Sequence, residues 1–196
     1  MKLLLATHNE HKRREFARLL SGSAGEDRAE VPALPATAIL PPEDGQTFAE
    51  NALAKARAAA QATGSVSIAD DSGIEAAALG GAPGVRSARY AGEDSSDQEN
   101  LNKLLREAPA GSPVEYVCAL AYVEPGDGVE RVFEGRCAGR VAQTPRGQGG
   151  FGYDPAFVPD DGPGALTMAE LTDEQKDAIS HRGRAARALM QWLRGG

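Results

Sequence analysis

Four groups of residues in this chain carry side chains whose types and spacing suit chemistry. The first is Thr7-His8-Asn9-Glu10-His11-Lys12, which follows a short apolar run. A strand that enters a polar turn and then a helix aims backbone N–H groups and the positive helix end at an anion. Lys12 adds a full positive charge, and the hydroxyl of Thr7 and amide of Asn9 suit phosphate oxygens. A capped strand–helix connection accounts for the same residues. The segment is not a Walker A loop, since the glycines and Lys-Ser/Thr of that pattern are missing.

The second group is Asp70-Asp71-Ser72-Gly73, which the pattern places at the carboxyl end of an apolar strand, where α/β folds commonly bind ligands. Hard Mg²⁺ is commonly held by one or two carboxylates together with substrate phosphates. Neighbours in a strand point to opposite sides, so one aspartate could orient water while the other holds metal. Glu43 or its neighbour Asp44 could add a further acidic ligand. An Asx turn explains Asp-Ser-Gly equally well. The third group is Phe151-Gly152-Tyr153-Asp154, preceded by Gly149-Gly150. Glycines allow close backbone approach, and an aromatic ring among them can stack on a flat base; a Gly-rich turn with core aromatics is the plainer reading. The fourth is Lys176 with Ser180-His181-Arg182. These are hydrogen-bond donors, or simply a capped, solvated helix start.

The elements that must position these groups follow from periodicity and capping. Lys2–Thr7 reads as a buried strand, and Asn9 as the cap of a helix over about 10–20 that ends in Ser21–Gly25. Residues 26–46 are rich in Pro and Ala and irregular, with a short strand near 30–34. Thr47-Phe48-Ala49-Glu50, Ser96-Asp97-Gln98-Glu99 and Thr172-Asp173-Glu174-Gln175 are capping boxes, each predicting a helix. The first of these helices stops at Gly64; the second has Leu101, Leu104 and Leu105 as its apolar stripe. Residues 65–69 read as a buried strand. Residues 114–123 and 129–137 form two more, joined by the turn 124–128 as an antiparallel hairpin. Residues 79–84 form a Gly/Pro loop. Ser180 caps a last helix with Ala185, Leu189, Trp192 and Leu193 on its apolar side. No repeat or linker interrupts the pattern, so residues 1–196 are expected to form a single α/β domain with a mixed sheet.

Composition narrows the function. The chain has 196 residues, 41% hydrophobic and 25% charged, as in ordinary folded proteins. No apolar run approaches the roughly 18–20 residues of a membrane span, and the opening apolar stretch is too short for a signal-peptide core. The net charge of −7 disfavours general nucleic-acid binding while permitting a small phosphorylated ligand in a local basic pocket. Cys118 and Cys137 form no metal-spaced cluster and read as core thiols, which suits a reducing cytoplasm. Together the four groups supply a phosphate cradle, an acidic site, an aromatic platform and a donor cluster. Those are the parts of an enzyme acting on a purine nucleoside triphosphate.

The sequence resembles the noncanonical purine NTP pyrophosphatases, also called dITP/XTP or inosine triphosphate pyrophosphatases. The matching blocks are LATHNEHKRREF (5–16), TFAENALAKA (47–56), IADDSG (68–73), LGGAPGVRSARYAGED (79–94), GGFGYDPAF (149–157) and AELTDEQKDAISHRG (169–183), in the family's order. The resemblance implies an elongated mixed β-sheet flanked by helices, with two lobes and an active-site cleft between them, and a homodimer. It implies Mg²⁺-dependent hydrolysis of ITP, dITP and XTP to the monophosphate and pyrophosphate. The segment Thr7, His8, Asn9, Glu10, His11 and Lys12 would bind substrate, with Thr7, Asn9 and Lys12 on the triphosphate. His8 and His11 stand where the family varies and would only modulate the phosphate site. Asp71 would be the general base and a metal ligand, with Asp70 and Glu43 as further acidic ligands, and Ser72 a substrate contact. Phe151 would stack on the base, lined by Gly152, Tyr153 and Asp154, and Lys176, His181 and Arg182 would read its edge. Donors there would meet the 6-oxo group of hypoxanthine or xanthine and oppose the 6-amino group of adenine. A pyrophosphatase for other modified nucleotides, or a nucleotide-binding regulator that does not hydrolyse, uses the same parts.

Overall fold

Local capping chemistry sets the helices where the sequence places them. In the computed structural model, which describes residues 1–21, 29–35, 37–126 and 128–195, α1 spans Glu10–Ser21. Asn9 starts it: its side-chain oxygen accepts from the backbone N–H of His11 at 2.9 Å and of Lys12 at 3.1 Å. The expected capping boxes of Thr47, Ser96 and Thr172 are all formed, opening α2 (Phe48–Thr63), α3 (Asp97–Glu107) and α4 (Asp173–Ile179). Gly64 ends α2 in the left-handed conformation, at φ 62°. The hydroxyl of Ser180 accepts from Gly183 N–H at 3.0 Å at the head of α5 (His181–Gly195). A further box, Thr167 with Glu170, closes a 3-10 turn that the sequence reading did not single out.

Five strands form one mixed sheet among the described residues: β1 (Leu4–Leu5), β2 (Ser67–Ala76), β3 (Pro113–Val123), β4 (Glu130–Val141) and β5 (Phe157–Pro159), in that spatial order. β1 runs parallel to β2, with Leu4 opposite Ser67. β4 runs antiparallel to β5, with Val141 opposite Phe157. The short strand expected near 30–34 appears as isolated bridges, Lys2 to Glu30 and Leu5 to Ala33. β5 was not expected, and β4 runs past the predicted end at Cys137. Gly139, within the extension, is a point of close packing. A Cβ there would stand 2.8 Å from the ring of Phe157. Most of the expected end of α1 over Ser21–Gly25, the start of the stretch 26–46, and Asp127 of the turn 124–128 lie outside the described residues.

One difference bears directly on function. Asp70 and Asp71 do not end their strand; β2 continues through Ser72 and Gly73 to Ala76. An Asx turn would need an aspartate oxygen to bond its own backbone. Here those oxygens face other partners, Lys12 and Asn51. Beyond them, Gly73 leaves room for Ser87, whose hydroxyl oxygen a Cβ would meet at 2.3 Å, and which accepts from Ile74 N–H at 2.9 Å.

The chain divides into two units, and the division falls inside β2, β3 and β4. The first comprises Met1–Asp71, Cys118–Glu134 and Arg184–Gly196; the second comprises Ser72–Val117 and Gly135–Gly183. The first unit is centred on Leu3, Leu5, Phe16, Ile68, Leu120 and Leu189. The second is centred on Ile74, Leu104, Tyr116, Phe157 and Met168. Each large apolar side chain so buried contributes about 1.5–3 kcal/mol. Cys118 and Cys137 are buried thiols, one in each core. Among the described residues no helix is long and apolar enough to cross a membrane.

The Thr47 box fixes the start of the helix that faces the acidic residues. Thr47→Ala removes the side-chain acceptor for Glu50 N–H. It is expected to lower stability by about 1 kcal/mol, read as a shifted urea midpoint with an unchanged slope.

Candidate active site

In the first unit, charge is gathered around the middle of β2. The Asp70 carboxylate is fully buried and pairs with the Lys12 ammonium at 3.0 Å. On α2, Lys55 donates to the backbone oxygen of Asp70 at 2.6 Å and to the Glu43 carboxylate. Asn51, one turn earlier, donates its amide N–H to Asp71 at 2.8 Å and accepts from Gly45 N–H at 2.8 Å. Those two contacts fix which end of the Asn51 amide faces the carboxylate. Glu43 is half-buried and engaged, whereas Asp44 is exposed, which separates the two acidic candidates.

The electrostatics follow from burial. Burial opposes charge on Lys55, but the carboxylates of Asp70, Glu43 and Asp71 outweigh it and hold the ammonium above its ordinary pKa. Asp71 goes the other way. Burial pushes its carboxyl up and Glu43 pushes in the same direction, while Lys55, Lys12 and the Asn51 amide only partly oppose them. A carboxylate raised in this way is a better proton acceptor than an ordinary one.

The phosphate-cradle residues stand at the head of α1. Thr7 is half-buried, and its hydroxyl accepts from Asn9 N–H at 3.1 Å. His8, Asn9, Glu10 and His11 are exposed. The carboxylate of Glu10 is engaged by Arg13 at 2.6 Å and Arg14 at 3.0 Å, which hold its pKa at about 2.

The second unit assembles the aromatic platform and the donors. The Phe151 ring has the Arg182 guanidinium 4.9 Å from its centroid and the Lys176 ammonium at 5.5 Å. Arg182 also donates to the Ser72 hydroxyl at 2.8 Å. Lys176 pairs with Asp154 at 2.8 Å, with both side chains buried. His181 is buried and its ring stacks on Tyr116, centroids 4.6 Å apart. Gly152 N–H donates to Asp97 at 3.0 Å, tying the platform loop to the first turn of α3. Tyr153 is core; its hydroxyl donates to the backbone oxygen of Ser87 at 2.7 Å. Lys176, His181 and Arg182 therefore form no solvated helix start. All three are buried, Lys176 and Arg182 against the half-buried Phe151 ring and His181 against Tyr116.

Sequence reasoning missed Asn51, Lys55, Tyr116 and Asp97. The first two had a signal. In α2 the buried face runs Phe48, Asn51, Ala52, Lys55, Ala56, Ala59 and Ala60. An amide and a cation at i and i+4 inside an alanine face mark polar groups turned inward.

Comparison with known proteins bears on the family and the fold. The family model of the Ham1 family matches residues 3–192. A dITP/XTP pyrophosphatase of Cutibacterium acnes is 47% identical, covering 96% of this chain and 94% of that protein. A dITP/XTP pyrophosphatase of Shigella flexneri is also 47% identical, covering 100% and 99%. A solved HAM1 protein from Coxiella burnetii superposes with a TM-score of 0.86 at 36% identity, covering 100% of both chains.

The Lys55 cluster generates a stability prediction. Lys55→Met removes the ammonium paired with Glu43 and facing Asp70 and Asp71, and is expected to cost about 3 kcal/mol in chemical denaturation. Adding Glu43→Gln should recover part of that loss, because the two sites share one interaction.

Proposed function

Since the chain belongs to the Ham1 family, we propose that it hydrolyses noncanonical purine nucleoside triphosphates, ITP, dITP and XTP, to the monophosphate and pyrophosphate. This would keep deaminated purines out of the nucleotide pool. The observation that carries the reading is Asp71: a buried, proton-accepting carboxylate oriented by Asn51 within a cluster of carboxylates and ammonium groups. The first unit's groups suit a triphosphate, and the second unit's groups suit a purine base.

Among the described residues, no group of three His, Cys, Asp or Glu side chains could by itself hold a metal ion. The donors present at β2 are carboxylate oxygens, which fit Mg²⁺, since that ion usually takes one or two carboxylates and completes its shell with phosphates and water. Asp71, Asp70 and Glu43 would hold it with the substrate. When bound, Mg²⁺ neutralises charge that develops on the phosphates.

The chain's own residues do the rest. Thr7, Asn9 and Lys12 hold the triphosphate, helped by the backbone N–H groups at the start of α1; His8, Glu10 and His11 contribute through that backbone. Asp71 orients a water and takes its proton. The water oxygen bonds to phosphorus as the anhydride bond between the α- and β-phosphates breaks, releasing monophosphate and pyrophosphate. Phe151 stacks on the base beside Gly152, Tyr153 and Asp154. Lys176, His181 and Arg182 donate to its 6-oxo edge, and Ser72 positions Arg182. A donor facing adenine's 6-amino group loses its acceptor, a mismatch that discriminates by about 10⁴-fold or more.

We also place the protein in the cytoplasm, where buried thiols stay reduced, and as a homodimer, as the resemblance implies. Gel filtration with light scattering should give twice the chain mass.

Two outcomes test the chemistry. With Mg²⁺, pyrophosphate release should be strong from ITP, dITP and XTP and weak from ATP, GTP and dTTP; single phosphate as product would overturn the assignment. Asp71→Asn should fold normally and lose several orders of magnitude in kcat. Near-normal turnover in that variant removes Asp71 from the base role.

A further inference from the structure

Asp154 is a buried carboxylate set among the cationic donors of the second unit's site residues. A carboxylate is an acceptor, and an acceptor facing the base would favour amino groups, the wrong chemistry for a site that selects oxo groups. The structure shows how that is avoided. Oδ2 of Asp154 accepts from the Lys176 ammonium at 2.8 Å and from Phe151 N–H at 3.0 Å. Oδ1 accepts from the Tyr116 hydroxyl at 2.9 Å. Three donors thus occupy a carboxylate that is itself buried.

Tyr116 does a second thing from the same position in β3. Its ring lies between two others, stacked on Phe157 at 4.3 Å with an interplanar angle of 26°, and on His181 at 4.6 Å with an angle of 15°. It therefore sets the plane of the His181 imidazole while its hydroxyl holds Asp154. Burial and the neighbouring carboxylate keep that hydroxyl protonated, so it stays a donor. The platform loop is built around the same carboxylate. Gly150 has φ 69°, and a Cβ there would meet Asp154 Oδ2 at 1.9 Å.

We propose that Tyr116 is a specificity-determining positioning residue: it occupies the remaining oxygen of Asp154 and aligns His181, so that the base edge meets donors only. This also answers how guanine is refused. Guanine shares the 6-oxo group with hypoxanthine but adds a 2-amino donor, and both oxygens of Asp154 are already engaged by Lys176, Phe151 N–H and Tyr116, so that donor would have to compete with them for an acceptor. The inference rests on the reading that these residues contact the base.

The test is Tyr116→Phe, which keeps the ring stack and removes only the hydroxyl. In the purified full-length enzyme with Mg²⁺, KM for ITP is expected to rise about tenfold, since hydrogen bonds to charged groups are among the stronger ones. The kcat on ITP should stay within about twofold, and the ITP over GTP ratio of kcat/KM should fall about tenfold. Inhibition by inorganic pyrophosphate, which probes the phosphate residues alone, should not change. An unchanged ITP over GTP ratio overturns the proposal. So does an equal loss on ITP, GTP and pyrophosphate, which would mean a general structural role. Tyr116→Leu removes stack and hydroxyl together; an ITP over GTP ratio no lower than in Tyr116→Phe would overturn the His181 half. Arg182→Ala in parallel separates the two levels. If it alters base preference while Tyr116→Phe does not, only Tyr116's role fails. If neither does, the assignment of the base to these residues fails.

Discussion

The architecture around β2 depends on one buried ammonium. Lys55 reaches from α2 to the Glu43 carboxylate and to the backbone of Asp70. Without it, Asp70, Asp71 and Glu43 would repel one another in a desolvated place, and a carboxylate so buried would take up a proton instead of staying charged. With it, a central strand can carry two consecutive aspartates and still run on to Ala76. The helix that delivers Lys55 is fixed at one end by the Thr47 box and at the other by Gly64. The position of the acidic groups is therefore set by the whole length of α2 and not by a flexible loop.

The second unit uses the same device with the signs exchanged. There a buried carboxylate, Asp154, organises donors: Lys176, Tyr116 and the Phe151 amide. In both places a buried ion, engaged on more than one side, ties together groups from separate elements. Breaking such a pair costs more than the pair contributes, because the partner is left buried and uncompensated. Sites of this sort are rigid before a ligand arrives, which is what preorganised electrostatic catalysis and recognition require.

What was legible in the sequence was what local chemistry decides. The boxes at Thr47, Ser96 and Thr172, the Asn9 cap and the Gly64 stop each depend on residues within one turn, and all formed. The mixed sheet was legible as well; the ion pairs of Lys12 with Asp70 and of Lys176 with Asp154 were not. The run of β2 past Asp71 was not, because its cause is tertiary: partners on α1 and α2 take the aspartate oxygens that a turn would have used. β5 is only three residues long and ends in Pro159, too short to show a period. Tyr116 was hidden differently. In β3 it sits within a nearly continuous buried run, where an aromatic reads as core, and its polar partner lies 38 residues away.

β2 hands over from one unit to the other between Asp71 and Ser72. The acidic cluster around Lys55 belongs to the first unit, which we propose breaks the anhydride, and the donors around Asp154 to the second, which we propose reads the base. Selection can therefore act on the two properties separately. The groups that hold Lys55 charged, Asp70, Glu43 and Asp71, are not among Tyr116, Asp154, Lys176 and Arg182. A lineage facing a different form of nucleotide damage would be free to retune which bases it discards while inheriting its hydrolytic machinery intact.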